Sequence, residues 1–372
     1  MKNLKIYSEN LAKVLASREL LRNKIGGEIS ISKPVIKQGE NALIFPNTIN
    51  VIQGQAGVHK SRLAEFICAS FLKQNQTENE LLGFQRFDVN TKYTVVYVDT
   101  ERNLSEQFPF ALQSIISKAG YSKIRHPDSF EYISLLQINR SNRFDALKEF
   151  LEHIRESTSN PLFVVLDVST DCIEDFNKTD KSMELIDLMN MSINDYNVIF
   201  LCIIHENPRS EKARGHFGTE LMNKASLVMQ VGFEKDANQK ETDLIRVKYL
   251  KCRSTIKHSS FHVKYSEDVK GLILANENDI KLLSSCKKLK ATYEDVIKHI
   301  EIYLGNGLSL PKSELFINLT KELNIKHRTL EGRLIYIMTQ NYDIYNEFGV
   351  NCQLIKENRK GVVNYSLIPK IN

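Results

Sequence analysis

The chain has 372 residues, of which 42% are hydrophobic and 26% charged. That is enough for one large core with a smaller domain, or for two domains, and it excludes a wholly disordered chain. No stretch approaches the roughly 20 apolar residues of a membrane helix, and the polar start MKNLKIYSENLAKVL has no apolar signal-peptide core, so a cytoplasmic protein with no membrane contact is expected. The net charge of +5 is unevenly placed: residues 281–372 carry 14 basic and 9 acidic side chains, which is the whole excess. If the chain meets a phosphate backbone, that quarter is where composition puts it.

In chain order, residues 1–40 read as a helical arm, with a helix near Glu9–Asn23 and an irregular segment containing Pro34. From residue 41 to 280, short Val- and Ile-rich runs alternate with amphipathic stretches. The runs are INVIQG (49–54), TVVYVDTE (94–101), LFVVLDVS (162–169) and VIFLCIIH (198–205). Helical spacing fills 60–74, 104–119, 143–156 and 181–196 between them. Continuous apolar runs suit strands covered on both faces, so the alternation predicts an α/β core with a mostly parallel sheet. Runs at 226–235, 242–254 and 259–267 would extend the sheet along one edge. The six cysteines form no CxxC pair and read as reduced, buried thiols.

Residues 281–291, KLLSSCKKLKA, read as a basic linker. Beyond it, helices are expected at 292–303, 311–323 and 326–339, followed by a hairpin turning at Asn358-Arg359-Lys360-Gly361. That outline is winged-helix-like and assigns 292–372 to a small second domain. Leu315, Phe316, Leu319 and Leu323 make one apolar face, and Leu330, Leu334 and Ile337 the next. Lys326, His327, Arg328, Arg333, Arg359 and Lys360 are the candidates for nucleic-acid contact.

The first strand runs into GQAGVHKSR, residues 54–62. This is a phosphate loop of the form Gly, four residues, Gly-Lys-Ser/Thr, with His59 in place of the second glycine. Gly54, Gln55, Ala56, Gly57, Val58, His59, Lys60, Ser61 and Arg62 are the nucleotide-binding candidates. Lys60 would reach the β- and γ-phosphates, and Ser61 would bind Mg²⁺. A side chain at position 59 is tolerated if its φ is negative.

With the acids that follow, the chain resembles the RecA-like ATPases, and within them the hexameric helicases of the DnaB and plasmid RepA type. The likeness is nearest to RepA-like ATPases of plasmids and mobile elements in Bacteroides-type bacteria. It covers roughly residues 40–265. It implies an ATPase using ATP and Mg²⁺ that forms a ring, with six subunits expected. Such a ring would act on single-stranded DNA in plasmid replication, with other replication or mobilisation proteins as further partners. On the same resemblance Glu101 would polarise the attacking water, with Asp99 as the fallback. Asp167 would hold the Mg²⁺ water shell, and His205, followed by Asn207, would sense the γ-phosphate. The segment KARGHFGTEL (212–221) would be the more basic of two central-channel loops, through Lys212, Arg214 and His216. The other, TDCIEDFNKTDK (170–181), is acidic, which disfavours phosphate contact. Lys251-x-Arg253 matches a basic pair that reaches a neighbouring subunit's γ-phosphate, and strand periodicity puts both residues on one face. A different class of function is an ATP-driven assembly switch that binds DNA or a protein through its tail without unwinding.

Overall fold

The apolar runs become strands enclosed on both sides, which is why they lack polar alternation. The computed structural model describes residues 8–73, 77, 80–208, 210–235, 240–280, 291–340, 342–359 and 361–370. Its first elements are helix α1 (Glu9–Ile25), strands β1 (Ile36–Gln38), β2 (Asn41–Ile44) and β3 (Ile49–Gly54), helix α2 (Lys60–Leu72), strands β4 (Phe84–Arg86) and β5 (Thr94–Asp99), and helix α3 (Gln107–Lys118). Next come β6 (Phe130–Ser134), α4 (Arg143–Ser157), β7 (Leu162–Asp167), α5 (Thr179–Tyr196), β8 (Val198–His205) and α6 (Gly215–Lys224). Strands β9 (Leu227–Lys235), β10 (Glu241–Cys252), β11 (Phe261–Ser266) and β12 (Gly271–Leu274) complete this part.

Nine strands form one sheet in the order β12-β11-β10-β9-β3-β8-β7-β5-β6. From β9 to β6 every neighbouring pair is parallel. Every residue of β3, β5 and β7 is buried. Alternate side chains serve opposite helix layers. Val51, Val96, Val164 and Phe200 pack with Leu147 of α4, Leu185 and Met189 of α5 and Phe217 of α6. On the other face, Phe163 stacks on Phe71 of α2 with ring centroids 3.9 Å apart. The fold class read from the sequence is therefore the one observed: α/β, mostly parallel, with residues 55–59 leaving the central strand for α2.

Short elements escape periodicity. Strands β2, β1 and β4 form a separate antiparallel sheet, and β1 lies inside the segment read as a helical arm. At three or four residues each, such strands offer too few positions for a period to show. None of the residues of α1 is buried.

The C-terminal part contains α7 (Tyr293–Leu304), β13 (Leu310–Pro311), α8 (Lys312–Glu322), α9 (His327–Thr339), β14 (Ile344–Tyr345), β15 (Asn351–Arg359) and β16 (Val362–Pro369). Thr292 and Asp295 close a capping box that starts α7. The four strands form a sheet in the order β13-β16-β15-β14, antiparallel throughout. All seven apolar residues expected to face inward on α8, α9 and just beyond α8 are buried, together with Val296, Ile300 and Tyr365. Of the expected basic linker, residues 281–290 lie outside the described residues. The chain divides into two compact units, Met1–Gly232 with Ile245–Leu274 and Phe233–Leu244 with Ala275–Asn372. Among the described residues no helix is long and apolar enough to cross a membrane.

Candidate functional site

In a parallel sheet, side chains at the carboxyl ends of adjacent strands share one rim, where ligands bind. Strands β3, β8, β7 and β5 are consecutive in the sheet, and they end at Gly54, His205, Asp167 and Asp99. A cleft of about 580 Å³ opens at this rim. Its lining includes Gly57, Val58, His59, Lys60, Ser61, Arg62, Glu101, Arg102 and His205.

The loop's glycines answer two different demands. At Gly54 a Cβ would sit 2.3 Å from the Val231 carbonyl oxygen, so any side chain would force the strands apart. Gly57 adopts a φ of 80°. His59 departs from expectation: its φ is 65°, left-handed, so the chain places a histidine in the conformation for which glycine is preferred. Helix α2 starts immediately after it. No side chain caps that start, and no acidic residue lies in the first turn. Its leading N–H groups and positive dipole end are therefore suited to an anion.

Lys60 is buried, and its ammonium donates to the Gln55 carbonyl at 2.6 Å. His205 Nδ1 lies 3.2 Å from Lys60 Nζ, and His205 Nε2 lies 3.6 Å from Glu101 Oε1. With Nδ1 accepting from the ammonium, Nε2 carries the proton and faces the carboxylate. Burial lowers Lys60 to a pKa of about 8, against the opposing pull of Asp167, Glu101 and Glu206. Glu101 is held below its ordinary value, chiefly by its hydrogen bond with His205.

Ser61 Oγ donates to Asp167 Oδ1 at 2.9 Å, so the two residues assigned to a metal meet directly. The other oxygen of Asp167 accepts from Tyr97 Oη at 2.7 Å and Arg102 Nη2 at 2.9 Å. Among the described residues no cluster of three or more His, Cys, Asp or Glu side chains is placed to hold a metal by itself. The donor set fits a hard cation that takes only one or two protein oxygens and is otherwise held by phosphates and water, as Mg²⁺ is. Asp99, the fallback base, is buried and accepts from the backbone N–H groups of Glu101 and Arg102. Burial pushes it up to about 6, with Arg102 opposing and Asp167 adding to the shift. Glu101 is the exposed one of the pair, at 52% of its side chain.

Sequence reasoning missed Arg102, which faces Asp167, Asp99 and Glu65. Burial works against its charge, but Tyr97 and the three carboxylates outweigh that, so its pKa rises. A charged residue just past a strand reads as solvated, and nothing in its spacing marked it. A second missed group had a visible signal. Gln53 and Gln230 are polar residues inside apolar runs, and they face each other in register on β3 and β9. Both donate to Glu206 Oε1, at 2.8 and 2.7 Å. Gln55 Nε2 bonds the carbonyls of Asn207 and Ser210, which ties the phosphate loop to the segment after His205.

The basic candidates are placed as follows. Lys212, Arg214 and His216 are exposed. The two segments read as separate channel loops pack on each other: Arg214 lies 5.2 Å over the Phe176 ring, and Phe217 N–H donates to the Phe176 carbonyl. Lys251 donates to the carbonyls of Met222 and Asn223, and Arg253 donates to that of Asn223. Both cations thus sit on the last turn of α6, where the dipole favours them. In the C-terminal unit Lys326, His327 and Arg328 are exposed at the start of α9. Arg333 is half-buried over the Tyr293 ring, and Arg359 is held by Glu357. Lys360 lies outside the described residues.

The sequence matches no protein-family model and no curated protein. Solved structures similar to the chain include the RadB recombinase, at 13% identity and a TM-score of 0.42, over 64% of this chain and 95% of that one. Another is the flagellar accessory protein FlaH from Methanocaldococcus jannaschii, at 15% identity and a TM-score of 0.43, over 70% of this chain and 96% of that one.

Proposed function

We propose that the chain is a RecA-like P-loop ATPase that assembles with copies of itself into a ring, six subunits being the expected number, and acts on DNA. Its nearest functional type would be the RepA-like helicase or translocase of a plasmid or mobile element, working on single-stranded DNA in the cytoplasm with other replication or mobilisation proteins. The observation that carries the reading is the convergence of Lys60, Ser61, Asp167, Glu101 and His205 on the uncapped start of α2.

In this reading the N–H groups of residues 57–61 and the Lys60 ammonium bind the phosphates of ATP. Ser61 and Asp167 hold Mg²⁺, which neutralises phosphate charge when bound. Glu101 orients the attacking water and accepts its proton. His205 bridges Glu101 and Lys60, which lets it register the γ-phosphate. Lys251 and Arg253 act on the neighbouring subunit's nucleotide, and their cationic charge there makes hydrolysis depend on assembly.

The test is steady-state ATP hydrolysis with and without single-stranded DNA, for the wild type, Lys60→Ala and Arg253→Ala. DNA should raise the wild-type rate severalfold, and both variants should be inactive. A slow rate indifferent to DNA would replace the motor with the assembly switch. One observation favours that second reading: Arg214, Lys251 and Arg253 are all engaged within the chain itself.

A further inference from the structure

His59 carries the left-handed turn of the phosphate loop, with φ 65° and ψ 27°. A side chain there is strained, and glycine would relieve it. What offsets the strain lies about 200 residues downstream. The His59 imidazole stacks on the Tyr265 ring, with centroids 5.4 Å apart and planes within 7° of parallel. Arg62, on the first turn of α2, sets its guanidinium 4.9 Å from the centre of the same ring. Arg62 also donates to the Lys270 carbonyl at 2.7 Å, between β11 and β12. Tyr265 is held in register opposite Leu272 of β12. The loop and the helix start are therefore both fastened to one hairpin.

We infer that Tyr265 is a positioning residue for nucleotide binding: by stacking on His59 it holds the phosphate loop in the left-handed turn that receives phosphate. The inference deepens the reading of the cleft as an ATP site and rests on it. A glycine at position 59 visits positive and negative φ with similar ease, so its turn is set only when phosphate arrives. The histidine has few such conformations, and the stack selects one of them before phosphate binds. The glycine missing from the motif is thus replaced by a pair, and the second member of that pair lies outside the motif.

The experiment is equilibrium binding of a fluorescent ATP analogue with Mg²⁺ to the wild type, Tyr265→Leu, His59→Gly and the double variant. Hydrogen exchange of amides 54–61 in the nucleotide-free proteins is measured alongside. Tyr265→Leu should weaken binding about fivefold and speed exchange in the loop, while Tyr265→Phe should match the wild type. In the His59→Gly background the same Tyr265→Leu change should shift affinity by less than about twofold. Equal losses in both backgrounds would overturn the inference, because Tyr265 would then act without His59. Unchanged binding and exchange in Tyr265→Leu would overturn it as well. Lys60→Ala separates the two levels: if it binds as the wild type does, the ATP reading of the cleft fails, and loop exchange alone decides whether Tyr265 orders the turn.

Discussion

The rim of the large sheet and the start of α9 both present basic side chains, but burial separates them. Lys60 is 5% exposed, and its partners are the Gln55 carbonyl and His205. Arg102 is enclosed by three carboxylates. A cation taken out of water has to be compensated at close range, so its partners report its task. Lys326 and Arg328 stand in solvent, where a charge needs no partner and its surroundings say little.

The sharpest break of this comparison is Glu101→Gln. It removes a half-exposed carboxylate at the rim and leaves the buried Asp99 and Asp167 and their partner Arg102 in place. Turnover should fall about 100- to 10,000-fold with ATP affinity within about twofold, as single-turnover and binding measurements would show. If Asp99→Asn gave that split instead, the buried acid would be the base. Lys60→Ala should come next, weakening ATP binding by about 100-fold, because the phosphates then lose the buried ammonium beside them.

The buried lysine also makes a signed prediction for pH. Its folded pKa is about 8, against an ordinary value of 10.5, so its contribution to apo stability is present above 10.5 and lost as pH falls through 8. Bound phosphate supplies the missing counter-charge and returns the pKa upward. Binding therefore takes up a proton above pH 8. ATP affinity should be about tenfold weaker at pH 9 than at pH 7, with proton uptake visible by calorimetry in two buffers. In Lys60→Ala this pH dependence should disappear.

How much could be read in advance follows the same division. The four long apolar runs were legible because they are continuous between amphipathic stretches, and the three tail helices because each repeats its apolar spacing. That Gly54, Lys60, Ser61 and Asp167 would lie at strand ends or at a helix start was legible from the apolar runs that precede them. The left-handed φ of His59 was not, since the stack that sustains it depends on Tyr265, far along the chain. Arg102 was hidden for a similar reason: its carboxylates come from α2, β5 and β7, which meet only in the folded sheet. The engagement of Lys251 and Arg253 by the end of α6 is likewise tertiary, and because β10 ends at Cys252, strand periodicity covers Lys251 but not Arg253.

The smallest expected effect tests the exposed side of the comparison. Replacing Lys326 and Arg328 together by alanine touches no buried atom, so unfolding free energy should move by less than about 0.5 kcal/mol. Leu334→Ala, in the core on the same helix, should by contrast cost about 2–5 kcal/mol. If the exposed pair meets a phosphate backbone, single-stranded DNA affinity should fall severalfold, and the salt dependence should flatten by about 0.7 in log–log slope per residue. Arg359→Ala should do less than either, because Glu357 already holds that guanidinium at 2.9 and 2.7 Å. A result in the opposite order, with Arg359 dominant, would mean that DNA displaces Glu357. Pairing within the chain would then not decide which cations of this unit take part.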